Sequence, residues 1–459
     1  MLGDNETIAA IGTAKGVGAL GIIRVSGLHT PEILARCFAS KQFKVQESHT
    51  ASFGVWKNPR TQEPVDEVVV VNFTQGRGYT GEAAADIICH GGVQVTELVL
   101  NATLDAGARL ARPGEFTYRA VMNGRLDLSQ AESVLEIISA KSPRAAALAL
   151  KNIQGALSEK ATHIEAELIY LLANLEASID FTTEDIQPVS LVEMNQRLEK
   201  SLDITKQLLK SYVSTQVVTS GLRMAIIGKP NVGKSSLMNS LLGKKRSIVA
   251  DLPGTTRDTI EAEFSLDGYL FKAIDTAGLR QSDNSIEKEG IQRSLDEMTS
   301  SDLVLYIADA TVGLQNEDIE HLKNIGSKNA IICFNKADLK GLEISQELEK
   351  SGLLEFPTVK TSAVTENGID ELKNKLLSLI HQSSNSEMNS VVSTQRQKEA
   401  LEGALTHMSK ASSLMRENAS PEFIAFELKE ALLKTQSLLG KNVGDDVMDQ
   451  VFKQFCIGK

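Results

Sequence analysis

The segment GKPNVGKS at residues 228–235 combines residue types and a spacing that suit the binding of nucleotide phosphates. It matches the pattern G-x-x-x-x-G-K-[S/T], follows the apolar run RMAII and precedes the helical run SLMNSLLG. Glycines let backbone N–H groups turn towards the phosphates, Lys234 reaches the β- and γ-phosphate oxygens, and Ser235 offers a hydroxyl to Mg²⁺. Taken alone, the motif leaves a chance glycine-rich turn as the alternative.

Three further motifs follow in an order typical of GTP-binding domains. DTAG at 275–278 ends the strand-like run YLFKAID, NKAD at 335–338 follows AIICF, and SA at 362–363 follows PTVKT. The carboxylate of Asp338 can accept hydrogen bonds from the N1–H and the exocyclic amine of guanine, a pair of donors that adenine lacks. Because parallel strands bring their carboxyl ends to one edge of a sheet, the four motifs together predict a GTP-binding α/β domain.

The catalytic residues depart from the common arrangement, in which a glutamine after the DxxG motif orients the attacking water. Leu279 occupies that position and cannot polarise water. A carboxylate at Glu287 or Glu289 is one candidate, and a solvated acid at a helix start is the alternative reading. No arginine finger is evident, so a monovalent cation held by Asn231 and by carbonyls of the loop 250–258 is a second candidate. The alternative for Asn231 is a simple turn former.

The pattern of apolar residues divides the chain into four segments: α/β at 1–118, helical at 119–219, α/β at 220–383 and helical at 384–459. The two helical segments have apolar residues three and four apart, as amphipathic helices do. We expect them to pack together, so that 220–383 is an insertion into one helical domain. Four consecutive domains are the alternative.

Periodicity predicts particular elements within these segments. Residues 19–27 and 65–74 are predicted strands, and 97–107 is a predicted helix closed by Gly107. Residues 147–180 are predicted to form one long amphipathic helix.

Composition is that of an ordinary globular protein with several domains. At 459 residues the chain is too long for one ordinary core. Its four cysteines form no CxxC pair, which speaks against a disulfide framework or a zinc site and suits a reduced cytoplasm. Neither a signal peptide nor a membrane span is predicted, because apolar runs such as VVVV at 68–71 are only strand-sized. The formal charge of −11 means that any contact with nucleic acid needs a local basic patch.

Longer stretches resemble one known family. The segments TRDTIEAEFSLDGYLFKAIDTAGLR at 256–280, ARPGEFTYRA at 111–120, NGRLDLSQAE at 123–132 and FCIGK at 455–459 are similar to the MnmE (TrmE) family of tRNA modification GTPases. The resemblance covers essentially the whole chain. It implies a multidomain α/β plus all-α fold, with an N-terminal α/β domain for folate binding and dimerisation, a helical domain and an inserted Ras-like P-loop GTPase domain.

The resemblance also implies a function. Members of the family are cytoplasmic homodimers that act on tRNA with a flavoprotein partner, MnmG, and have no membrane association. Together they add an aminomethyl-type group to C5 of the wobble uridine, using a one-carbon unit from 5-formyl- or 5,10-methylene-tetrahydrofolate. GTP, Mg²⁺ and K⁺ are the other cofactors implied, and potassium-dependent dimerisation of the GTPase domains activates hydrolysis.

Residue by residue, the resemblance assigns roles around the nucleotide. Glu287 aligns with the catalytic glutamate, which orients the attacking water through a second water. Ser235 and Thr256 would hold Mg²⁺, and the potassium ligands would be Asn231, Ala250, Leu252 and Thr255. The implied GTP contacts are Asn231, Val232, Gly233, Lys234, Ser235, Ser236, Asp251, Thr255, Thr256, Asp275, Thr276, Ala277, Gly278, Asn335, Lys336, Asp338, Ser362 and Ala363.

At the folate site, the resemblance implies Arg24, Asp86, Arg125 and Lys459. A carboxylate suits the aminopyrimidinone edge of a pterin, and cations suit its glutamyl tail. Two positions depart from the family pattern: Asp86 stands in GEAAAD where glutamate is usual, and Arg125 stands where many members carry lysine. Ordinary surface ion pairs are the alternative reading of all four.

The cysteine near the C-terminus has more than one reading. Prenylation is rejected because CIGK ends in lysine. In a purely structural reading, Phe455, Cys456 and Ile457 pack the last helix. In the family reading, Gly458 and Lys459 extend the tail into the folate pocket, and Cys456 lies near the one-carbon unit or the modified base. We expect the tail to belong to the site and leave the chemistry of the thiol open.

Two other functions fit the GTPase motifs alone. One is a ribosome-assembly GTPase, and the other is a signalling GTPase whose helical arms only dimerise it. The C-terminal segment lacks a GxxG RNA-binding loop, which disfavours the first. Folate binding separates both from the favoured function.

Replacing Glu287 by alanine should abolish GTP hydrolysis and leave GTP affinity nearly unchanged, because the carboxylate orients water and does not hold the nucleotide. Steady-state phosphate release in potassium buffer and a nucleotide titration measure the two effects separately. Glu289→Ala is the matched control and should turn over GTP normally. Unchanged turnover in Glu287→Ala would contradict the assignment.

Overall fold

The computed structural model describes residues 6–41, 43–44, 47–180, 190–242, 260–275, 301–325, 329–339, 343–383 and 391–459. The chain divides into two compact units. The first consists of Met1–Leu135, Leu150–Thr205 and Thr394–Lys459, and the second of Glu136–Ala149 and Lys206–Ser393. The segment boundaries expected after residues 118, 219 and 383 stay a prediction.

Seven strands form the sheet of the first unit: β1 (Ile8–Ile11), β2 (Leu20–Ser26), β3 (Phe38–Ala39), β4 (Thr50–Lys57), β5 (Pro64–Phe73), β6 (Ala84–His90) and β7 (Arg109–Leu110). Their order is β3-β4-β5-β6-β2-β1-β7. All neighbours are antiparallel except β1 and β7, which run parallel. The strands predicted at 19–27 and 65–74 are confirmed as β2 and β5.

Three helices accompany this sheet: α1 (Thr30–Cys37), α2 (Val93–Asp105) and α3 (Glu115–Met122). The helix predicted at 97–107 is confirmed as α2, although it begins four residues earlier. It stops before Gly107, whose φ of +122° lies outside the helical region. Helices α1 and α2 contribute Ile33 and Val99 to a core that also buries Trp56 of β4.

The pleat of the sheet decides which side chains face that core. In β2, Ile23 and Val25 are fully buried, and Arg24 between them is only half-buried, because successive side chains point to opposite faces. In β6, Asp86 alternates in the same way beside the buried Ile87. Arg24 and Asp86 are direct partners across the two strands. The pleat therefore places this charged pair on the face away from the apolar core.

A run of helices follows in the chain: α4 (Leu128–Ser139), α5 (Pro143–Ile153), α6 (Ala156–Asp180) and α7 (Leu191–Ser220). The single helix predicted over 147–180 is therefore wrong. Helix α5 ends at Ile153 and α6 begins at Ala156, because Gly155 adopts φ +101°, which an α-helix does not accommodate. The apolar spacing continues across the break, and this continuity made the two helices look like one.

The second unit is built on a six-stranded sheet: β8 (Leu222–Ile227), β9 (Ile260–Leu266), β10 (Tyr269–Asp275), β11 (Leu303–Asp309), β12 (Ala330–Asn335) and β13 (Thr358–Lys360). Their order is β13-β12-β11-β8-β10-β9, and only β9 runs antiparallel to its neighbour. The described helices that follow β8 in this unit are α8 (Lys234–Leu242), α9 (Asn316–Ile325), α10 (Ile344–Ser351) and α11 (Ile369–Ser383).

Apolar side chains cover both faces of this second sheet. Every residue of β12 is buried, and its apolar side chains divide between two clusters. Cys333 belongs to one cluster and Phe334 to the other. Strands buried on both faces are typical of a parallel α/β sheet, as predicted for this segment.

The chain returns to the first unit with α12 (Gln395–Arg416), α13 (Pro421–Leu439) and α14 (Asp445–Phe452). The first of these begins at a capping box, in which Thr394 and Gln397 satisfy each other's backbone N–H groups. In the part of the chain that the structure describes, no helix is both long enough and apolar enough to span a lipid bilayer.

A buried carboxylate connects helices from distant parts of the chain. Glu132 of α4, whose side chain is 7% exposed, accepts hydrogen bonds from Arg396 at 2.6 and 2.8 Å and from Gln397 at 2.7 Å. Arg396 also donates to the carbonyl oxygens of Ser437 and Leu438 at the end of α13, at 2.8 and 3.2 Å. The two helical segments therefore contact each other, as an insertion requires.

Replacing Glu132 by alanine should lower the free energy of unfolding of the first unit by about 3–5 kcal/mol, because Arg396 is left as a largely buried charge without its partner. Urea unfolding followed by far-UV circular dichroism measures the loss. Glu402→Ala, which removes an exposed glutamate from α12, is the control and should cost less than about 0.5 kcal/mol. Equal stability of the two variants would contradict this role for Glu132.

Candidate functional site

The loop between β8 and α8 contains two glycines at points of close backbone approach. Gly228 has φ +157°, and a Cβ there would lie 2.2 Å from the carbonyl oxygen of Ile307. Gly233 has φ +94°, and a Cβ there would lie 2.3 Å from Nδ2 of Asn335. A larger residue at either position would displace the loop from β11 or β12. Both glycines of the predicted phosphate motif are thus required by the packing.

The cationic and hydroxyl groups of this loop have the placement that phosphate binding needs. Lys234 donates from Nζ to the carbonyl oxygens of Gly228 and Lys229, at 2.6 and 2.9 Å, so its side chain folds over the loop. Ser235 follows in the first turn of α8, where backbone N–H groups without partners inside the helix favour anions. Asn231 has φ +63°, a left-handed conformation that asparagine tolerates.

The side chain of Asn335 joins three of the predicted motifs. It is 2% exposed, and its Nδ2 donates to the carbonyl oxygen of Val232 in the phosphate loop at 2.8 Å. Its Oδ1 accepts from the backbone N–H of Ala363 at 3.2 Å and from the hydroxyl of Thr361 at 3.4 Å. The end of β12 therefore fixes the phosphate loop and the SA loop in one arrangement.

Lys336 extends this arrangement to a residue that was not predicted. It has φ +62°, and its Nζ donates to Oδ2 of Asp309 at 2.7 Å. Burial tends to raise the pKa of Asp309, but hydrogen bonds from Lys336 and Thr311 outweigh it and lower that pKa. Asp309 ends β11, so its place at a strand end is the same signal that identified the other motifs. A cavity of about 200 Å³ lies here, lined by Asn231, Asp309 and Lys336 among others.

The predicted nucleotide residues divide into those that the structure describes and those that it does not. The following converge at one edge of the second sheet: Asn231, Val232, Gly233, Lys234, Ser235, Ser236, Asn335, Lys336, Asp338, Ser362 and Ala363. Asp275 ends β10 and is described by its backbone alone. Outside the described residues lie Ala250, Asp251, Leu252, Thr255, Thr256, Thr276, Ala277, Gly278 and Glu287. Their roles stay predictions.

The first unit carries a second cavity, of about 340 Å³, beside the charged pair of β2 and β6. Arg24 donates from Nε to Oδ1 of Asp86 at 3.0 Å. The guanidinium carbon of Arg24 also lies 5.7 Å from the ring centre of Tyr79 and 5.9 Å from that of Phe116. Arg125 lines the same cavity. Three of the four residues predicted for the folate site therefore share one concave surface.

Lys459, the fourth of these residues, lies near the same pair. Partial burial lowers the pKa of its ammonium group, the charge of Arg24 lowers that pKa further, and the charge of Asp86 opposes both. The backbone oxygen of Lys459 accepts from the N–H of Phe116 at 3.2 Å. Gly458 has φ +95°, and a Cβ there would lie 2.4 Å from the carbonyl oxygen of Ile11. The tail is thus packed against β1 and against α3, and Phe116 of α3 lines the cavity.

The purely structural reading of the residues before Gly458 holds for Phe455 only. Helix α14 ends at Phe452, and of the three residues that this reading assigns to it, Phe455 is buried with Phe452 and Leu128. Cys456 and Ile457 are exposed instead. The tail bends away after Phe455 because its backbone bonds to α3, with the carbonyl oxygen of Cys456 accepting from the N–H of Gly114 at 3.4 Å.

The other three cysteines are buried and have raised pKa values. Burial raises the pKa of Cys37 to about 12, that of Cys89 to about 11 and that of Cys333 to about 12. A thiol that stays protonated is a poor nucleophile. Cys456 is the exposed thiol.

An ion network behind the second cavity was also not predicted. Ser26 bonds to Thr80 at 2.6 Å and donates to Glu82 at 2.7 Å, and Glu82 pairs with Arg119 at 3.1 Å. Arg119 pairs in turn with the buried Glu115 at 3.0 Å. Glu82 lies in GEAAAD and Arg119 in ARPGEFTYRA, but no local pattern shows that positions 37 apart form an ion pair. The network fixes Ser26 and Thr80, which line the cavity.

Comparisons with known proteins give a consistent result. A family profile described as MnmE helical domain matches residues 128–456, and one described as GTP-binding protein TrmE N-terminus matches residues 7–125. The tRNA modification GTPase MnmE of Protochlamydia amoebophila is 39% identical over 99% of this chain and 98% of its own length. Proteins with the same name from Geobacter sulfurreducens and Alkaliphilus oremlandii are 40% and 37% identical over 99% of both chains.

A solved structure resembles one part of the chain. The G domain of the T. maritima FeoB iron transporter is 30% identical over 34% of this chain and 98% of that chain, with a TM-score of 0.27. Because that TM-score is low, the family assignment depends on the full-length relatives.

Replacing Asn335 by alanine should weaken GTP binding about tenfold or more, because the phosphate loop and the SA loop lose their shared hydrogen bonds. Titration with a fluorescent GTP analogue measures the loss. Asn329→Ala, at the exposed residue just before β12, is the matched control and should bind normally. Wild-type affinity in Asn335→Ala would show that these bonds do not organise the site.

Proposed function

Because the chain belongs to the MnmE family of tRNA modification GTPases, we propose that it hydrolyses GTP as part of the modification of tRNA. The observation that carries this proposal is the convergence of three GTPase motifs on the side chain of Asn335. That convergence brings the phosphate-binding loop and the base-recognition segments to one edge of the second sheet.

At the nucleotide, the described residues would bind and orient GTP. Lys234 and the N-terminal N–H groups of α8 would hold the phosphates, and Asp338 would accept hydrogen bonds from the guanine edge. Mg²⁺ would bind the hydroxyl of Ser235 together with Thr256, an all-oxygen donor set that suits this ion. It would neutralise charge that develops on the phosphates during hydrolysis.

A second cation would complete the catalytic site. Asn231, in its left-handed conformation within the loop, would offer a side-chain oxygen to K⁺, with Ala250, Leu252 and Thr255 as the other ligands. The charge of K⁺ would take the place of an arginine finger, a group that raises kcat by a factor of about 10³–10⁵ where it is present. Glu287 would orient the attacking water. This arrangement accounts for Leu279 at the position where many GTPases have glutamine.

The second cavity would hold a reduced folate, 5-formyl- or 5,10-methylene-tetrahydrofolate, as the source of a one-carbon unit. What supports this is the set of groups that share the cavity: an acceptor at Asp86, aromatic rings at Tyr79 and Phe116, and a cation at Arg125. Asp86 would accept from the aminopyrimidinone edge, and Arg125 and Lys459 would bind the carboxylates of the tail. Asp86 also forms an ion pair with Arg24, so this carboxylate would accept hydrogen bonds from both Arg24 and the pterin.

The reaction that we propose is the addition of an aminomethyl-type group to C5 of the wobble uridine. A flavoprotein of the MnmG type would be the partner, and the chain would act as a cytoplasmic homodimer. The folate cavity lies in the first compact unit and the nucleotide site in the second, so GTP hydrolysis would control the chemistry from another part of the molecule. A ribosome-assembly or signalling GTPase would have no use for the folate cavity.

Nucleoside analysis of tRNA from cells that lack the protein tests this proposal. The aminomethyl-type modification of wobble uridine should disappear and should return with the wild-type gene. A variant without residues 456–459 should fail to restore it, because the tail borders the cavity, although the purified variant should still hydrolyse GTP. Lys57→Ala, a surface change on β4, should restore modification fully. Normal tRNA in the absence of the protein would refute the function, and modification by the shortened variant would refute the role of the tail.

A further inference from the structure

The cavity of the first unit has an excess of positive charge that its own residues do not neutralise. Its lining includes three arginines, Arg24, Arg77 and Arg125, and one carboxylate, Asp86. That carboxylate is bonded to Arg24. Among the residues that the structure describes, neither Arg77 nor Arg125 forms an ion pair. In a chain with a formal charge of −11, two unpaired guanidinium groups on one cavity indicate a ligand with several negative charges.

Both arginines stand on turns that the surrounding backbone holds in place. Arg77 lies between β5 and β6, where its N–H donates to the carbonyl oxygen of Thr74 at 3.0 Å. Arg125 follows α3, and its N–H donates to the carbonyl oxygen of Ala120 at 2.8 Å. Asn123 connects the two turns by donating from Nδ2 to the carbonyl oxygen of Thr80 at 2.8 Å. The two cations are thus part of one built surface.

The other residues that line the cavity suit an uncharged, aromatic part of such a ligand. Tyr79 and Phe116 present aromatic rings, and Asp86 presents a hydrogen-bond acceptor. A flat heteroaromatic head with N–H donors fits this region, and a chain of carboxylates fits Arg77 and Arg125, because guanidinium groups bind carboxylates through paired hydrogen bonds. A reduced folate that carries several γ-linked glutamates has both parts in one molecule.

We propose that Arg77, together with Arg125, selects reduced folates with more than one glutamate in the tail. This inference rests on the proposed folate function and adds a specificity residue that the family resemblance does not supply. Each additional glutamate brings a carboxylate within reach of an unpaired guanidinium group. Affinity therefore rises by about two- to fivefold for each of the first two added glutamates, one for each guanidinium group, which is the range that solvent-exposed ion pairs give.

Arginines also bind the phosphates of an RNA backbone. The position of Arg77 and Arg125 favours a polyglutamate tail over RNA. Both arginines line a concavity of about 340 Å³ that also contains the aromatic rings. A volume of that size admits a small molecule with a flexible tail and excludes a nucleic-acid duplex. Contact of these two arginines with tRNA is therefore the alternative that the experiment must exclude.

Calorimetric titration of the full-length protein with the mono-, tri- and pentaglutamate forms of 5-formyl-tetrahydrofolate tests the inference. The wild type should bind the triglutamate about four- to 25-fold more tightly than the monoglutamate, which is the effect of two added glutamates. In Arg77→Ala this ratio should fall by about two- to fivefold, which is the contribution of one exposed ion pair, and Arg77→Lys should keep most of it. Arg60→Ala, at a surface arginine paired with Asp105, is the matched control. High salt should reduce the wild-type ratio, because exposed ion pairs are screened.

The possible results separate the two proposals. Equal affinity of the wild type for all tail lengths, or an unchanged ratio in Arg77→Ala, would overturn the inference and leave the folate function standing. Failure of every reduced folate to bind would overturn both. Weaker binding of tRNA by Arg77→Ala, measured by fluorescence anisotropy, with the folate ratio intact, would assign the arginine to RNA instead. A normal thermal unfolding profile of Arg77→Ala shows that the variant is folded, as expected for an exposed side chain.

Discussion

The first unit depends on one carboxylate, Glu132, which is bonded to residues 264 and 265 positions later in the chain. A buried charge is costly unless its hydrogen bonds are satisfied, and the loss of one partner leaves the other charge uncompensated. Here the arginine that neutralises Glu132 also caps the last carbonyl groups of α13. Three helices are thereby fixed relative to each other by a single network.

The position of the C-terminal tail follows from that network. Helix α4 carries Leu128 as well as Glu132, and Leu128 belongs to the apolar cluster that contains Phe452 and Phe455. From Phe455 the chain needs only four more residues to reach Lys459, beside Arg24 and Asp86. The packing of these helices therefore determines where Lys459 lies relative to the cavity, although the residues involved come from both ends of the chain.

Much of this architecture was predictable because its signals are local. The phosphate loop, NKAD and SA were placed at the ends of strands β8, β12 and β13, since a motif and the apolar strand before it are adjacent in sequence. What could not be predicted depends on contacts across long separations. Asn335 was expected at the nucleotide, but its bond to Val232 spans 103 positions and has no sequence signature. The charge pair of Arg24 and Asp86 came from family resemblance, whereas their facing positions come from the register of β2 and β6.

The break at Gly155 shows that a local pattern can also predict the wrong element. One glycine inside an amphipathic pattern costs a helix only about 1 kcal/mol, so the apolar spacing predicted a continuous helix. Composition cannot distinguish a tolerated glycine from one that adopts a positive φ, because the choice depends on packing against other parts of the unit. Asp309 was missed for a related reason. It occupies the right end of the right strand, but no short motif surrounds it.

The distribution of the cysteines has a practical consequence for spectroscopy. Three of the four thiols are buried and held in their protonated form, so a maleimide dye or spin label added to the native protein will react at Cys456. No engineered cysteine or background substitution is needed. The label would be attached three residues from Lys459, whose ammonium group interacts with Arg24 and Asp86 of the cavity, so its emission or mobility would report ligand entry in the otherwise unaltered chain.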